Sequence, residues 1–231
     1  MNKSPTERSI SAMTRYEKSI SGMENKEFLL GKNTSRIYFE DPKLLLFTLS
    51  RYKFVSKMFA GRKRVLEIGC QEGFGSQLVS KTVKSLHCID FYHPHIESCN
   101  RRFCSTNVNM TFECADILDG LENPGFDGAF ALDVLEHIDP VDEDRFLKAI
   151  LSVLTPASLV IIGMPSLESQ TYASARSREG HVNCKRGDEL RGFLEKYLLG
   201  VTMFSMNDEV LHTGFFPMSQ YIFGVGWYSG G

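Results

Sequence analysis

The sequence predicts an α/β fold built on a doubly wound sheet of mostly parallel strands. From about residue 63, short apolar runs of strand length alternate with amphipathic stretches. The segment DEDRFLKAILSVL shows the helical pattern most clearly, with an acidic first turn. Its apolar positions at helical spacing are Phe146, Leu147, Ile150, Val153 and Leu154. Strands that alternate with helices pair in parallel through right-handed crossovers, which places helices on both faces of the sheet.

Seven strands are predicted along the chain. They are Arg64–Ile68, Ser85–Asp90, Met110–Asp116, Phe126–Asp133, Ser158–Met164, Val201–Met206 and Tyr221–Tyr228. Helices are predicted over about Phe74–Val83, Asp142–Leu154 and Gly187–Leu199. The aromatic tail FGVGWYSGG either finishes the last strand or packs on another subunit, and composition does not decide between the two.

The chain is predicted to divide into two regions. Residues 1–60 are predicted to form an N-terminal helical cap or lid, with a helix in PKLLLFTLSRYKFVSKMF. Residues 61–231 are predicted to form the main domain. Within that domain, about residues 165–185 (PSLESQTYASARSREGHVNCK) are polar and without a clear period, which is typical of a substrate loop.

Composition excludes several classes of partner. The chain has 231 residues, 42% of them hydrophobic, and a net charge of -2 without clustered Lys and Arg, so we expect no nucleic-acid partner. No apolar run reaches the roughly 20 residues of a membrane span, and no secretory signal is visible, which predicts a cytoplasmic protein. The six cysteines form no CxxC pair and are expected to be reduced thiols rather than a zinc site or disulfides.

The stretch VLEIGCQEGFG, residues 65–75, carries the first functional signal. A buried strand ends in a glycine-rich turn, and glycines there let a ligand approach the backbone closely. In a doubly wound sheet, ligands bind beyond the carboxyl ends of the strands, which is where this turn falls. From Gly69 the order is G-x-Q-x-G-x-G, so the dinucleotide pattern G-x-G-x-x-G is not matched.

The spacing E-x-G-x-x-x-G-x-G resembles instead the first motif of class I S-adenosylmethionine-dependent methyltransferases. Three later segments extend the resemblance: the strand end at Asp90, ECADI, and FDGAFALDVLEHI. The resemblance implies S-adenosylmethionine as cofactor, with S-adenosylhomocysteine as product. It implies ribose contacts from Asp90, adenine contacts from Asp116, and contacts with the methyl donor around Leu132. The residues expected to bind the cofactor are Glu67, Gly69, Cys70, Gln71, Gly73, Asp90, Phe91, Asp116, Ile117 and Leu132.

The same resemblance implies a Rossmann-like domain with strand order 3-2-1-4-5-7-6. The later part, from GHVNCKRGDEL onwards, looks like that of small-molecule and sugar-type members of the superfamily. Gln71 departs from the family pattern, which often has glycine at this position. If the backbone there has positive φ, Gln is strained, and its side chain either lines the methionine end of the cofactor or faces solvent.

Methyl transfer from a sulfonium requires alignment of the acceptor, the methyl carbon and the sulfur, and a hydroxyl acceptor also has to lose its proton. His181 and His137 are the leading candidates for the base because histidine titrates near neutral pH. Asp133 is the carboxylate alternative, and His212 is a weaker candidate. No cluster has metal-ligand spacing in the sequence, so we expect no metal.

The leading hypothesis is a metal-independent enzyme that methylates an oxygen of a polar small metabolite or a sugar, for example in glycan or capsule assembly. N-methylation of an amine or amino acid is the alternative enzymatic hypothesis. A non-catalytic S-adenosylmethionine-binding subunit is the alternative from another class, and a nucleotide-dependent oxidoreductase is the most remote. The sequence leaves a homodimer open.

Overall fold

The structure, a computed structural model, describes residues 5–22, 28–103, 109–213 and 216–230 in two compact units. The first unit extends to Leu30 and contains helix α1, Pro5–Ile20. The second unit begins at Gly31 and contains every strand described below. Among the described residues, no helix is both long enough and apolar enough to cross a bilayer.

The second unit is built on one eight-stranded sheet. Its strands are β1 (Arg64–Ile68), β2 (Ser85–Asp90), β3 (Met110–Cys114), β4 (Phe126–Leu132), β5 (Leu154–Pro165), β6 (Leu199–Asn207), β7 (Val210–His212) and β8 (Tyr221–Tyr228). They lie in the order β3-β2-β1-β4-β5-β8-β6-β7. The first five strands pair in parallel, whereas β8, β6 and β7 pair antiparallel. The predicted fold and strand order are confirmed, with the short edge strand β7 as an addition.

Helices connect and cover these strands. They are α2 (Lys32–Glu40), α3 (Lys43–Met58), α4 (Ser76–Ser80), α5 (His93–Phe103), α6 (Glu143–Ser152), α7 (Ala175–Gly180) and α8 (Gly187–Glu195). The helix predicted to extend to Leu154 ends at Ser152, because Leu154 opens β5 and pairs with Phe126 of β4. Sheet pairing therefore overrides the helical spacing of the last two apolar positions.

The core lies on both faces of the sheet, as alternation along the strands requires. In β1, Leu66 joins the apolar residues under α6 and α8, and Val65 joins those under α3 and α5. Both side chains are fully buried. The two layers of helices expected from the alternating pattern are therefore present.

The compact unit that contains the sheet begins at Gly31, within the predicted cap of residues 1–60. Helices α2 and α3 belong to the same compact unit as the sheet, and Val55 of α3 and Phe59, directly after the helix, are fully buried in its core. The aromatic tail finishes the sheet: β8 lies between β5 and β6 and is paired on both sides. Cys104 lies outside the described residues, and the other five cysteines are free thiols.

Candidate active site

Two cavities open at the carboxyl ends of β1, β2 and β4. The first, of about 520 Å³, is called the cofactor cavity below, and the second, of about 360 Å³, is called the acceptor cavity. Four residues line both cavities: Gly69, Gln71, Asp133 and His137. The two spaces therefore meet beside the glycine turn, which is where a doubly wound sheet binds its ligand.

Four of the predicted cofactor residues line the cofactor cavity only: Asp90, Phe91, Asp116 and Ile117. Apolar side chains form much of the remaining wall, including Val134, Ile138 and Phe146. A largely apolar space with a few carboxylates at its rim suits a flat ring attached to a hydroxyl-bearing sugar.

Asp90 is the most firmly held of the carboxylates in the cofactor cavity. It is only 6% exposed, and it accepts hydrogen bonds from the backbone N–H groups of Gln71 (2.8 Å) and Tyr92 (2.9 Å). His95 places Nδ1 at 3.4 Å from Asp90 Oδ1 and its ring edge-on to Tyr92. Sequence reasoning missed His95, because its place on the cavity wall depends on how α5 packs.

Asp116 serves a local structural purpose as well as lining the cofactor cavity. Its carboxylate accepts from the N–H of Leu118 (2.9 Å) and so caps the 3-10 turn Ile117–Asp119. The cap fixes the direction in which the chain leaves β3. Asp116 and Ile117 are held at the wall of the cavity by this turn.

The glycine turn has left-handed backbone at three positions: Gly69 (φ 76), Gln71 (φ 47) and Gly73 (φ 66). A Cβ at Gly69 would lie 2.4 Å from Val134 Cγ2, so the position excludes any side chain. Gln71 adopts the strained conformation that its place in the motif suggested. Its backbone N–H is bound by Asp90, and its side-chain oxygen accepts from Asn33 Nδ2 (3.1 Å).

Glu72 connects this turn to the beginning of α2. Its carboxylate, in a side chain only 4% exposed, accepts from Asn33 N (3.0 Å), Thr34 N (3.0 Å) and Thr34 Oγ1 (3.2 Å). Burial alone would raise the pKa of Glu72, but these hydrogen bonds and the charge of Arg102 outweigh it and lower the pKa. Sequence reasoning missed Glu72, whose partners lie almost forty residues earlier in the chain.

Glu67 lines neither cavity, although it was predicted to bind the cofactor. It is 1% exposed and accepts hydrogen bonds from Tyr52 Oη (2.7 Å) and Cys88 Sγ (3.3 Å). Burial raises the pKa of Glu67. In this structure the carboxylate holds α3 against β1, and Tyr52 in turn lines the acceptor cavity. Gly73 also lines neither cavity, because Phe112 packs against it.

The acceptor cavity is lined mainly by polar and titratable groups on one side. Arg51 Nη1 donates to Asp133 Oδ1 (3.1 Å) and Oδ2 (3.0 Å), and its guanidinium lies 3.9 Å from the centroid of the Tyr221 ring. Asp133 has left-handed backbone, with φ 56. Two predicted cofactor residues, Cys70 and Leu132, line this cavity. Arg51 was not predicted, because α3 gives no sign in sequence of reaching β4.

His137 and His181, the leading predicted bases, lie side by side in the acceptor cavity. Their ring centroids are 5.1 Å apart. His137 Nδ1 donates to the carbonyl oxygen of Gly180 (2.7 Å), and His181 Nδ1 donates to Gln170 Oε1 (2.8 Å). Because both acceptors are oxygens without a proton, each imidazole keeps Nε2 for another partner. Burial and the neighbouring His137 lower the pKa of His181.

Glu136 lies beside these histidines and was missed in the sequence. Its side chain is fully buried, and neither carboxylate oxygen accepts a hydrogen bond from another residue in the described part of the chain. Burial and the charge of Asp133 raise the pKa of Glu136 well above its usual range. A ligand atom of Glu136, His137 and His181 can be chosen so that the three lie within 4.8 Å of one another, a juxtaposition that sequence spacing does not reveal.

The fold and these cavities define a doubly wound α/β protein with a ligand site at the carboxyl ends of its strands. Residues 65–157 match the family model of the methyltransferase domain. The expected resemblance is confirmed to this extent: residues 65–157 form a methyltransferase domain. No curated protein sequence matches the chain.

Solved structures share the fold at low sequence identity. N-methyltransferase NodS from Bradyrhizobium japonicum WM9, in complex with S-adenosylhomocysteine, is 16% identical with a TM-score of 0.58, covering 86% of this chain and 93% of that one. An S-adenosylmethionine-dependent methyltransferase from Clostridium acetobutylicum ATCC 824 is 14% identical with a TM-score of 0.65, covering 85% and 98%. The methyltransferase domain of bacterial-CtHen1-C is 20% identical with a TM-score of 0.64, covering 80% and 100%.

Proposed function

We propose that this methyltransferase transfers the methyl group of S-adenosylmethionine to a hydroxyl oxygen of a polar small metabolite or a sugar. The observation that carries the proposal is the acceptor cavity, whose wall joins a guanidinium, two carboxylates and two imidazoles. A hydroxyl acceptor needs both polar recognition and a way to lose its proton. The proposed acceptor is a small polar molecule, and the proposed site of action remains the cytoplasm.

In this proposal the cofactor spans both cavities. Asp90 accepts hydrogen bonds from the ribose hydroxyls, and Asp116 and Ile117 flank the adenine ring. The methionine end passes Gly69, which lines both cavities. The methyl group then lies at the junction of the two cavities, in line with an acceptor oxygen on the other side. Alignment of this kind supplies most of the rate enhancement in a displacement with a good leaving group.

The acceptor's proton is proposed to leave through the histidine pair rather than through Asp133. Asp133 has both oxygens bound to Arg51, so its carboxylate is already engaged with a cation. His137 and His181 each keep Nε2, and the lowered pKa of His181 favours its neutral form at neutral pH. Gly180 and Gln170 orient the two rings, so the imidazoles are held in position before the acceptor binds.

Two segments are proposed to close over the acceptor. Helices α2 and α3 supply Thr34, Ile37 and Arg51 to the wall of the acceptor cavity, and the predicted substrate loop at about 165–185 supplies His181. Exclusion of water by such segments strengthens polar contacts with the acceptor. The predicted cap of residues 1–60 is therefore proposed to act through its second half, residues 31–60.

N-methylation is the second candidate function. The buried, unpartnered carboxylate of Glu136 and its neighbour Asp133 would attract an ammonium group, and the fold resembles that of the N-methyltransferase NodS. An amine needs less help than a hydroxyl to lose a proton, so removal of the imidazoles would then affect the rate less. A cofactor-binding subunit without catalysis is the third candidate, with binding but no turnover as its signature.

The test offers the purified protein labelled S-adenosylmethionine together with sugars, nucleotide sugars and phosphorylated metabolites in one panel and amines and amino acids in another. We expect label on an oxygen of one member of the first panel. We also expect His137→Ala and His181→Ala to lower kcat by about 100-fold or more, with the exposed His93→Ala as matched control. Label found only on amines, or no loss in the two variants, would contradict the proposal.

A further inference from the structure

The cluster formed by Glu136, His137 and His181 has the composition of a metal centre. Two of its residues are adjacent in sequence at the 3-10 turn after β4, and the third follows α7. The backbone carbonyl of Glu136 accepts from the N–H groups of Val182 (2.8 Å) and Asn183 (3.0 Å), which holds the chain beside His181 against the turn. The three side chains are therefore brought together by backbone hydrogen bonds.

The buried state of Glu136 is the first independent sign of a missing partner. A carboxylate removed from water normally has hydrogen bonds or an opposite charge in direct contact. Glu136 is 0% exposed, and neither oxygen accepts a hydrogen bond from another described residue. Arg51 is the cation whose charge acts on Glu136, and its Nη1 is bound to Asp133 at 3.0 and 3.1 Å. A cation bound at the histidine pair would complete the environment of this carboxylate.

The hydrogen-bond partners of Nδ1 in the two imidazoles are the second sign that the cluster binds a metal ion. Histidine ligands of metals usually donate their other ring N–H to a carbonyl or carboxylate, which fixes the tautomer and aims the ligand nitrogen. Both rings do so here, through Gly180 and Gln170. Gln170 is itself oriented by Nε2, which donates to the carbonyl of Ser166 (3.4 Å), so its oxygen faces His181. The two imidazoles are thus arranged in advance as neutral ligands.

We propose that Glu136, His137 and His181 bind one divalent first-row transition-metal ion, such as Mn²⁺, Fe²⁺, Co²⁺ or Zn²⁺, at the wall of the acceptor cavity. Two imidazoles with one carboxylate suit these ions and not Mg²⁺ or Ca²⁺, which prefer all-oxygen sites. Three protein ligands leave coordination positions open, as in catalytic rather than structural sites. With this ion bound, the two imidazoles act as ligands rather than as bases, which differs from the metal-independent mechanism expected from the sequence.

The hydroxyl oxygen of the acceptor can occupy an open coordination position of the ion. This role of the ion rests on the proposed O-methylation. The ion acts as a Lewis acid and makes the acceptor hydroxyl more acidic. The acceptor oxygen then forms a bond to the methyl carbon as the carbon–sulfur bond breaks. The electron pair of the carbon–sulfur bond goes to sulfur and gives S-adenosylhomocysteine. The hydroxyl proton passes to water. The imidazoles in this case act on the acceptor through the ion.

Metal binding is tested without cofactor or acceptor, so that it is independent of the proposed reaction. Full-length protein freed of metal by a chelator is titrated with Co²⁺, and both heat and the visible absorption bands of the ion are recorded. We expect one ion per chain, with His137→Ala, His181→Ala and Glu136→Gln each weakening binding at least about tenfold. Gln170→Ala, which does not contact the ion, should weaken it by about 10- to 100-fold.

The controls separate this site from adventitious binding. His93→Ala and Cys114→Ser remove an exposed imidazole and an exposed thiol, and both should bind Co²⁺ as the wild type does. Mg²⁺ should give no heat. Absence of binding by the wild type, or equal binding by all variants, would overturn the site. If Glu136→Gln does not fold, the two histidine variants decide the question.

A second arm tests the role of the ion in catalysis. Chelator-treated enzyme should bind S-adenosylhomocysteine as before but transfer methyl groups at least about 100-fold more slowly, with recovery on addition of Mn²⁺ or Co²⁺. Unchanged transfer after chelation would overturn the catalytic role. Metal binding with no transfer to any hydroxyl acceptor would leave the metal site standing and contradict the proposed function instead.

Discussion

The contact between Glu72 and the first turn of α2 gives a quantitative prediction. Glu72→Gln keeps the shape of the side chain but removes its charge and turns one oxygen into a donor. Two backbone N–H groups, of Asn33 and Thr34, then lose a charged acceptor at 3.0 Å. Hydrogen bonds to charged groups contribute about 1 kcal/mol more than neutral ones, so the two together predict a loss of about 2 kcal/mol in the free energy of unfolding.

Urea denaturation measures this loss. With a slope of about 2–3 kcal/mol/M, a change of about 2 kcal/mol lowers the midpoint by about 0.7–1 M. Glu97→Gln is the matched control, because Glu97 is exposed on α5 and its nearest ion pair, with His93, is 3.9 Å long. We expect the control to unfold with the wild type.

The pH dependence of the difference provides the sharper test. The pKa of Glu72 is lowered from its ordinary value of 4.5 in the folded chain, so its contribution is present above that value and is lost as the pH falls through the lower folded value. The wild type and Glu72→Gln should therefore differ fully at pH 7, and the difference should shrink as the pH falls below 4.5 and through the lower folded value. A difference in stability that stays constant throughout the acid range, or no difference at pH 7, would refute the reasoning.

Two further substitutions test the cofactor side of the site, and a third tests the contact that holds α3 against β1. Gly69→Ala should weaken S-adenosylhomocysteine binding at least about tenfold in calorimetry, because the left-handed backbone of Gly69 and the methyl of Val134 both exclude a Cβ. Adding Val134→Ala to this variant should restore little of the lost binding, because the backbone strain remains. Asp90→Asn should weaken the same binding by a similar factor while NADH binds neither protein, since a neutral amide accepts less strongly from ribose. Tyr52→Phe should lower the free energy of unfolding by about 1.5–3 kcal/mol in urea titration, because it removes the hydroxyl bound to buried Glu67.

The sheet and the glycine turn could be predicted because their signals are local. The short apolar run in RVLEI and the strand end at Asp90 depend only on neighbouring positions, and the structure confirms both elements. The end of α6 was predicted two residues too late. An apolar residue such as Leu154 is compatible with a helix and with a strand, and only its pairing with Phe126 places it in a strand. The edge strand β7 is short and lacks a period of its own.

The class of fold could be predicted from the alternation of strands and helices along the chain, and the cofactor from the resemblance of four motifs, each at the end of a predicted strand. The arrangement of the acceptor cavity depends instead on the tertiary structure. Arg51 and Asp133 are separated by 82 residues, and His137 meets the carbonyl of Gly180 from 43 residues away. Such contacts depend on strand order and on how the helices pack over the sheet, so the spacing of residues along the chain does not predict them.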